Sequence, residues 1–371
     1  MCGICGFNWR DEHLLENMKS AIRHRGPDDH GSYFDEGVSL GHRRLSIIDL
    51  SENGRQPMSN ESGTVWLFFN REIYNYKDLR RFLEKKDHIF HSNSDTEVIV
   101  HAYEQFGIDF VPRLTGMFGF GLWDASRRRF ILARDRLGIK PVYYYHKNGK
   151  FLFASEIKSI LCSSGVPKDI NPQALFDLAG YEFVPAPNTL LKNIRKLTPG
   201  CFLVLENGSA PKITRYWDLE EKEVNPSGEA LLDLLGSVCA EHLMSDVPLG
   251  AFLSGGIDSS TVVHLLSSAI DSSLKTFSLG YEDASYSEFE FAKRVSDHYN
   301  TEHHELMVRP VDLEVINKSI WHLDEPNTDP SNMPFMLICE QARRFVKVCV
   351  SGEGGDDLLM GYDRFRASKA Y

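Results

Sequence analysis

The chain has 371 residues, enough for about two domains, with 42% hydrophobic and 25% charged residues, the balance of an ordinary globular protein. A formal net charge of −11 argues against a nucleic-acid or anionic-membrane binder, since either role needs a basic surface. The cysteines (Cys2, Cys5, Cys162, Cys201, Cys239, Cys339 and Cys349) are odd in number and too scattered for a disulfide framework. With no apolar run near the ~18 residues of a membrane span and no basic-then-apolar signal at the start, a cytoplasmic protein is expected.

In chain order, the first half reads mostly as strands. VWLFF (65–69) is a buried-strand run, followed by helices over Lys77–Lys86 and Asp95–Phe106, the second opening on Ser94 as its N-cap. GMFGFGLWD (116–124) and RRFILARD (128–135) flank a turn at Ala125-Ser126, and the basic run Arg127-Arg128-Arg129 reads as the solvated side of that hairpin. PVYYYHKNGKFLFASE (141–156) is a hairpin with Asn148-Gly149 at its tip. Prolines, turn residues and charges accumulate over 185–230. From about 230 the rhythm becomes helix, strand, helix, strand, the signature of a parallel sheet with crossover helices. The expected fold class is therefore α/β. An αββα layered sandwich over 1–210 is joined by a linker at 211–228 to a parallel-sheet nucleotide-binding domain over 229–371, which is expected to be incomplete.

Two glycine loops in the second half carry chemistry. In LGAFLSGGIDSSTVVHLL (249–266), Gly255 and Gly256 allow a tight turn whose N–H groups face an anion. Ser254, Ser259 and Ser260 add hydroxyl donors, and a helix N-terminus follows. Asp258 would repel phosphate unless a cation lies between them, which implies magnesium. The loop has neither a Walker lysine nor a dinucleotide fingerprint. VKVCVSGEGGDDLLMGYDRF (346–365) repeats the pattern with Glu353, Asp356 and Asp357. Strand ends of a parallel sheet share one edge, so both loops could hold one metal–pyrophosphate, with Asp258 and Asp356 as ligands. His303-His304 in TEHHEL is a poor chelating pair, because adjacent strand residues face opposite ways.

The opening MCGICGF admits three readings: an unremarkable small residue at position 2, a C-x-x-C pair of Cys2 and Cys5, or a Cys2 that becomes the N-terminus once Met1 is removed. In the last case the amine, with a pKa of about 7.7–8.0, takes the proton of a thiol near 8.5, so that one residue is both nucleophile and base.

SGGIDSS followed by SGEGGDD, together with MCGICGF, RHRGPDD (23–29), HRRLSIIDL (42–50), NREIYN (70–75) and SNSDTEVI (92–99), resembles the glutamine-dependent asparagine synthetase family over nearly the whole chain. The resemblance implies a glutaminase with Cys2 as nucleophile. Arg44 would hold the glutamine α-carboxylate, Leu45, Ser46, Ile47 and Ile48 would line the site, and Glu72 and Asp95 would take the α-ammonium. The Asn70 amide and the backbone N–H of Arg71 would form the oxyanion hole. The family has glycine where this chain has Arg71, so backbone strain is expected there. The resemblance further implies ATP bound by Leu253, Ser254, Gly255, Gly256, Asp258, Ser259, Leu279, Ser351 and Gly352, with Glu353 beside an acyl-adenylate of aspartate. ATP and Mg2+ are the expected cofactors, glutamine, ATP and aspartate the expected small-molecule partners, and a homodimer the candidate assembly. Two rivals stay open: an amidotransferase for another carboxylate, and a truncated non-catalytic paralogue that binds glutamine or ATP. Family members continue beyond the second acidic loop with a lysine for adenylation. A chain ending at Tyr371 is accordingly expected to hydrolyse glutamine without completing amide synthesis.

Overall fold

The computed structural model describes residues 1–206, 209–222, 224, 226–283, 287–308 and 313–368. The chain divides into two units, Met1–Lys222 with Ile320–Asp329, and Glu223–Ser319 with Pro330–Tyr371.

The first unit contains β1 (Gly3–Phe7), α1 (Glu12–Ala21), β2 (Asp29–Asp35), β3 (Val38–Arg44), β4 (Met58–Ser59), β5 (Val65–Asn70), α2 (Tyr76–Glu84) and α3 (Asp95–Phe106). It continues with β6 (Gly119–Asp124), β7 (Arg129–Arg134), β8 (Tyr143–Lys147), β9 (Lys150–Ala154), α4 (Ile157–Ile160), α5 (Pro172–Tyr181), β10 (Ile194–Lys196), β11 (Cys201–Glu206) and β12 (Lys212–Arg215). The strands form two six-stranded antiparallel sheets, ordered β10-β8-β9-β1-β3-β2 and β12-β11-β7-β6-β5-β4. Side-chain alternation assigns each face. On β5, Leu67 and Phe69 pack toward α3 while Phe68 enters the layer between the sheets. On β1, Ile4 joins that same layer while Cys5 and Phe7 pack toward α1 and α4. Both sheets are thus buried on both faces, which explains why their strands read as continuous apolar runs. The layering is αββα.

Local signals work as the sequence leads one to expect. Ser94 caps α3 by accepting the Thr96 N–H at 3.2 Å. Asn148 and Gly149 take φ of 52° and 73° at the β8–β9 tip, the left-handed values a two-residue hairpin turn demands. The expected helix at Lys77–Lys86 lies at Tyr76–Glu84. The second sheet also runs past residue 210. β12 pairs with β11 at Cys201↔Arg215 through Val204↔Lys212, so the span 211–228 includes a strand. Its short, charged KITR sequence suits a sheet edge, where lysine and arginine deter further pairing, and such a strand lacks an apolar signature.

The second unit has α6 (Gly228–His242), β13 (Leu249–Phe252), α7 (Ile257–Ala269), β14 (Lys275–Tyr281), α8 (Phe289–Tyr299), β15 (Glu302–Val308), α9 (Leu313–Leu323, whose end belongs to the first unit), α10 (Asn332–Ala342), β16 (Val348–Val350), α11 (Gly355–Leu359) and α12 (Asp363–Ser368). Its sheet is parallel, in the order β15-β14-β13-β16. No helix among the described residues is long and apolar enough to cross a membrane.

The layer between the two antiparallel sheets generates a stability prediction. Phe153 is 1% exposed and its ring lies 4.9 Å from that of Phe130. Phe153→Ala should cost the first unit about 3–5 kcal/mol, read as a lower midpoint in urea unfolding. A loss under about 1 kcal/mol would show that this layer does not hold the sheets together.

Candidate functional site

β1 and β3 pair antiparallel, with Ile4 opposite His42, so the chain before β1 meets the chain leaving β3. Cys2 therefore faces the 45–48 loop. Its Sγ receives the Leu45 N–H at 3.4 Å and lies 3.7 Å from the Leu45 carbonyl, and the residue is buried. Burial by itself raises a thiol pKa. Here it is outweighed by His42 and Arg71, which pull Cys2 down to about 6. Cys5 has the opposite environment: buried beneath α1, its thiol is pushed up to about 12 by desolvation. The two cysteines have unlike chemistry, and a C-x-x-C couple has no support here.

β5 ends at Asn70, and the segment after it brings Arg71 and Glu72 beside the N-terminus of α3. Asn70 is 1% exposed, yet neither its Oδ1 nor its Nδ2 has a hydrogen-bond partner among the described residues. A buried amide left open on both atoms is costly unless a ligand completes it. Arg71 is not among the residues with positive φ, so its backbone carries no left-handed strain and the expected strain is absent. Its consequence lies in the side chain. The buried guanidinium bonds through Nη1 to Asp95 Oδ1 (2.9 Å), Ser94 Oγ (3.1 Å) and the Ile48 carbonyl (3.2 Å), while Nε and Nη2 have no partner. Asp95 Oδ2 accepts the Ile73 N–H at 3.1 Å. One of the two carboxylates expected to receive an ammonium is thus already paired with a cation.

Glu72 is half-buried. Desolvation, with Asp95 nearby, raises it to about 7, so it is partly protonated at neutrality. Arg44, buried at the end of β3, donates to the Asp49 carbonyl and, at 3.4 Å, to the Ser51 carbonyl, and its Nε is unpartnered. Ser46 N–H donates to Asp28 Oδ2 at 2.9 Å, Ile47 is half-buried, and Ile48 is buried. Cys2, Arg44 through Ile48, Asn70 through Glu72 and Asp95 therefore gather around one site.

Two supporting groups escaped the sequence reading. His42 is fully buried, with Nε2 3.1 Å from the Phe69 carbonyl. A carbonyl only accepts, so Nε2 holds a proton, while Nδ1 has no hydrogen-bond partner among the described residues. Arg25 donates Nε to the Cys2 carbonyl at 2.9 Å and Nη1 to Glu156 at 2.9 Å. Glu156 also pairs with Lys158 (2.7 Å), which reaches Asp324 (3.2 Å) within the same unit. The RHRGPDD stretch contains Arg25, but only the fold shows that it holds the Cys2 backbone.

In the second unit the two glycine loops follow neighbouring strands, β13 and β16, paired in register at Leu249↔Val348 and Ala251↔Val350. Gly255 takes φ of 85°, and a Cβ there would meet the α8 residue Phe291 at 2.5 Å, so only glycine fits. A Cβ on Gly355 would lie 2.5 Å from Asp258 Oδ2 and one on Gly352 2.9 Å from the Asp258 Cβ, which places the second loop directly against Asp258. Ser254 and Ser259 bond to each other at 3.0 Å, and Ser254 Oγ accepts the Gly256 N–H. Leu253 is buried, its N–H donating to the Phe277 carbonyl at 2.9 Å, and Leu279 packs beside Phe277. Ser351 accepts the N–H of Glu353, which is exposed, and Asp356 is half-buried. His303 faces Thr276 while His304 stacks on Phe277, so their rings point apart.

Residues 1–217 match the glutamine amidotransferase domain and residues 230–371 match asparagine synthase. The chain is 38% identical over 379 residues to glutamine-hydrolyzing asparagine synthetase 1 of Bacillus subtilis, covering 99% of this chain and 60% of that protein. It is 36% identical over 393 residues to putative glutamine-hydrolyzing asparagine synthetase 2 of Methanocaldococcus jannaschii, covering 98% and 76%. Amidase chry2 of Gibberella zeae is 31% identical over 413 residues, covering 99% and 60%. The chain thus spans about three-fifths to three-quarters of the length of these relatives. It belongs to the glutamine-hydrolysing asparagine synthetase family.

Proposed function

We propose that the chain hydrolyses glutamine at Cys2 and passes the ammonia to a carboxylate activated by ATP, the β-carboxylate of aspartate being the foremost acceptor. The observation that carries this reading is a buried thiol held near 6 in the same cluster as an Asn70 amide open on both polar atoms. Arg44, with its free Nε, takes the glutamine α-carboxylate, and Glu72 with Asp95 the α-ammonium. The Cys2 thiolate attacks the side-chain amide carbon, and Asn70 Nδ2 and the Arg71 N–H stabilise the oxyanion. The C–N bond then breaks as a proton reaches the leaving nitrogen, giving ammonia and a thioester, which water hydrolyses to glutamate. After removal of Met1 the amine of Cys2 would take the thiol proton as the sulfur attacks and pass it to the leaving nitrogen. Burial already presses the amine at the chain start down to about 5, and there it is neutral at pH 7.

In the second unit the proposal assigns the ATP phosphates to Ser254, Gly255, Gly256 and Ser259, the adenosine to Leu253, Leu279, Ser351 and Gly352, and the adenylate to Glu353. Asp258 and Asp356 are hard oxygen donors beside this loop and suit Mg2+, which when bound would neutralise phosphate charge. A cytoplasmic setting fits seven free thiols.

The Arg71–Asp95 pair favours a second reading, in which the first unit accepts glutamine poorly and the second uses free ammonia. Glutamine must displace the guanidinium from Asp95 before its own ammonium can bind there. Arg71→Gly should therefore lower KM for glutamine by at least about tenfold, equivalent to about 1.4 kcal/mol. Because Arg71 also helps to acidify Cys2, the acid limb of the pH–rate profile should move upward in the same variant. An unchanged KM would show that the guanidinium does not occupy the ammonium position.

A thiol lowered to about 6 is reactive above that pH and loses reactivity as pH falls through it. Alkylation of Cys2 by iodoacetamide should follow a titration centred near 6, with Cys5 unreacted throughout, and intact mass should show Cys2 as the first residue. Cys2→Ala should abolish ammonia release from glutamine, and Cys5→Ala should leave most of it. A Cys2 midpoint near 9, or activity with Met1 retained, would overturn the assigned proton carrier. Pyrophosphate release dependent on ATP and aspartate tests the acceptor, and release with another carboxylate alone would reassign it.

A further inference from the structure

Outside that site, three side chains converge where the turn after α2 meets α3. His88 Nδ1 lies 3.2 Å from His101 Nδ1, His101 Nδ1 lies 3.1 Å from Glu104 Oε2, and His88 Nδ1 lies 3.8 Å from the same oxygen. The three atoms form a compact triangle of possible ligands. An imidazole nitrogen has either one proton or one lone pair, so His101 Nδ1 can make a good bond to His88 or to Glu104 but not to both. A cation at the centre would use all three atoms at once, displacing the proton that His101 shares with Glu104. The circle through the three atoms has a radius of about 2.0 Å, against zinc–nitrogen distances of about 2.0–2.1 Å and zinc–oxygen distances of about 2.0–2.2 Å.

The surroundings orient each group for this. His88 Nε2 is 3.3 Å from Gln105 Oε1, an acceptor, so the proton belongs on Nε2 and the Nδ1 lone pair is free. His101 Nε2 faces Glu97 Oε1 at 3.7 Å, and Glu97 is itself held by the Ser92 and His91 N–H groups. Asn60 Nδ2 donates to Glu104 Oε1 at 2.8 Å, which leaves Oε2 for the cluster. Hydrogen-bond partners on the far atoms of His88 and Glu104, with a carboxylate facing that of His101, are the kind of outer shell that fixes tautomer and direction in metal sites. The backbone is equally constrained. His101 and Glu104 are one turn apart on α3, and the His88 N–H is tied to the Leu83 carbonyl at 3.2 Å.

We infer that His88, His101 and Glu104 form a binding site for a divalent transition ion, zinc by its two-imidazole, one-carboxylate donor set, with a fourth position left for water. The ion joins the end of α2 to the middle of α3, the helix whose first residue is Asp95.

The test uses the full chain, stripped of metal and then loaded with Zn2+ or Co2+. One equivalent should remain after gel filtration, measured by elemental analysis. The Co2+ form should show the absorption of a four-coordinate nitrogen/oxygen site without a thiolate charge-transfer band. His88 lies on a partly exposed turn, so His88→Ala should fold and spares buried His101, and Glu104→Gln removes the carboxylate with little change of shape. Each should weaken binding by about 100-fold or more, beyond the 10–100-fold typical of an outer partner. Failure of the wild-type chain to retain metal would overturn the inference, as would variants binding like wild type or a thiolate band pointing to cysteine.

Discussion

The apolar layer between the two antiparallel sheets is the constraint from which the rest of the first unit follows. Ile4, Leu40, Phe68, Phe130, Leu132, Phe151, Phe153 and Leu203 come from strands far apart in sequence and fill one shared space. Period-2 alternation then leaves the opposite face of each sheet to a helix, α1 on one side and α3 on the other. A strand locked in register on both faces has no freedom to slide, so the residue at its end is placed as firmly as its core. Asn70 at the end of β5 and Arg44 at the end of β3 owe their positions to this.

That rigidity allows polar groups to remain buried and incompletely paired. Arg71 and Asp95 are both nearly inaccessible, and removing one partner from such a pair typically costs about 3–5 kcal/mol. Asn70, His42 and Arg44 also keep atoms without partners. A less tightly packed scaffold would let these side chains rotate toward water or toward each other. Here the open donors and the acidified Cys2 thiol are buried together, where charge–charge and dipole interactions act more strongly than in solvent. Arg71 therefore acts through its charge. It sets a guanidinium against both the Cys2 thiol and the Asp95 carboxylate.

The second unit solves a different problem with parallel strands. Loops that are nearly 100 residues apart in sequence meet because β13 and β16 are hydrogen-bonded neighbours and their carboxyl ends share an edge. Glycine at 352 and 355 then permits contact with Asp258, where any side chain would collide.

The sequence by itself determined the local elements and the roster of candidate residues. The Asn148-Gly149 turn, the Ser94 cap, the apolar strand runs and the two glycine loops are legible because propensity and periodicity act over a few neighbours. Residues such as Cys2, Asn70 and Asp95 were legible because their motifs occur in order along the chain. The sequence could not reveal β12, whose charged edge strand has no apolar signature, nor that Arg71 bears its effect in the side chain rather than in backbone strain. It gave no sign of His42 beneath Cys2, of Arg25 on the Cys2 carbonyl, or of His88 against His101 and Glu104. Those facts belong to tertiary structure alone, since pKa values, unpaired atoms and three-way contacts arise from groups distant in sequence that packing brings within a few ångströms.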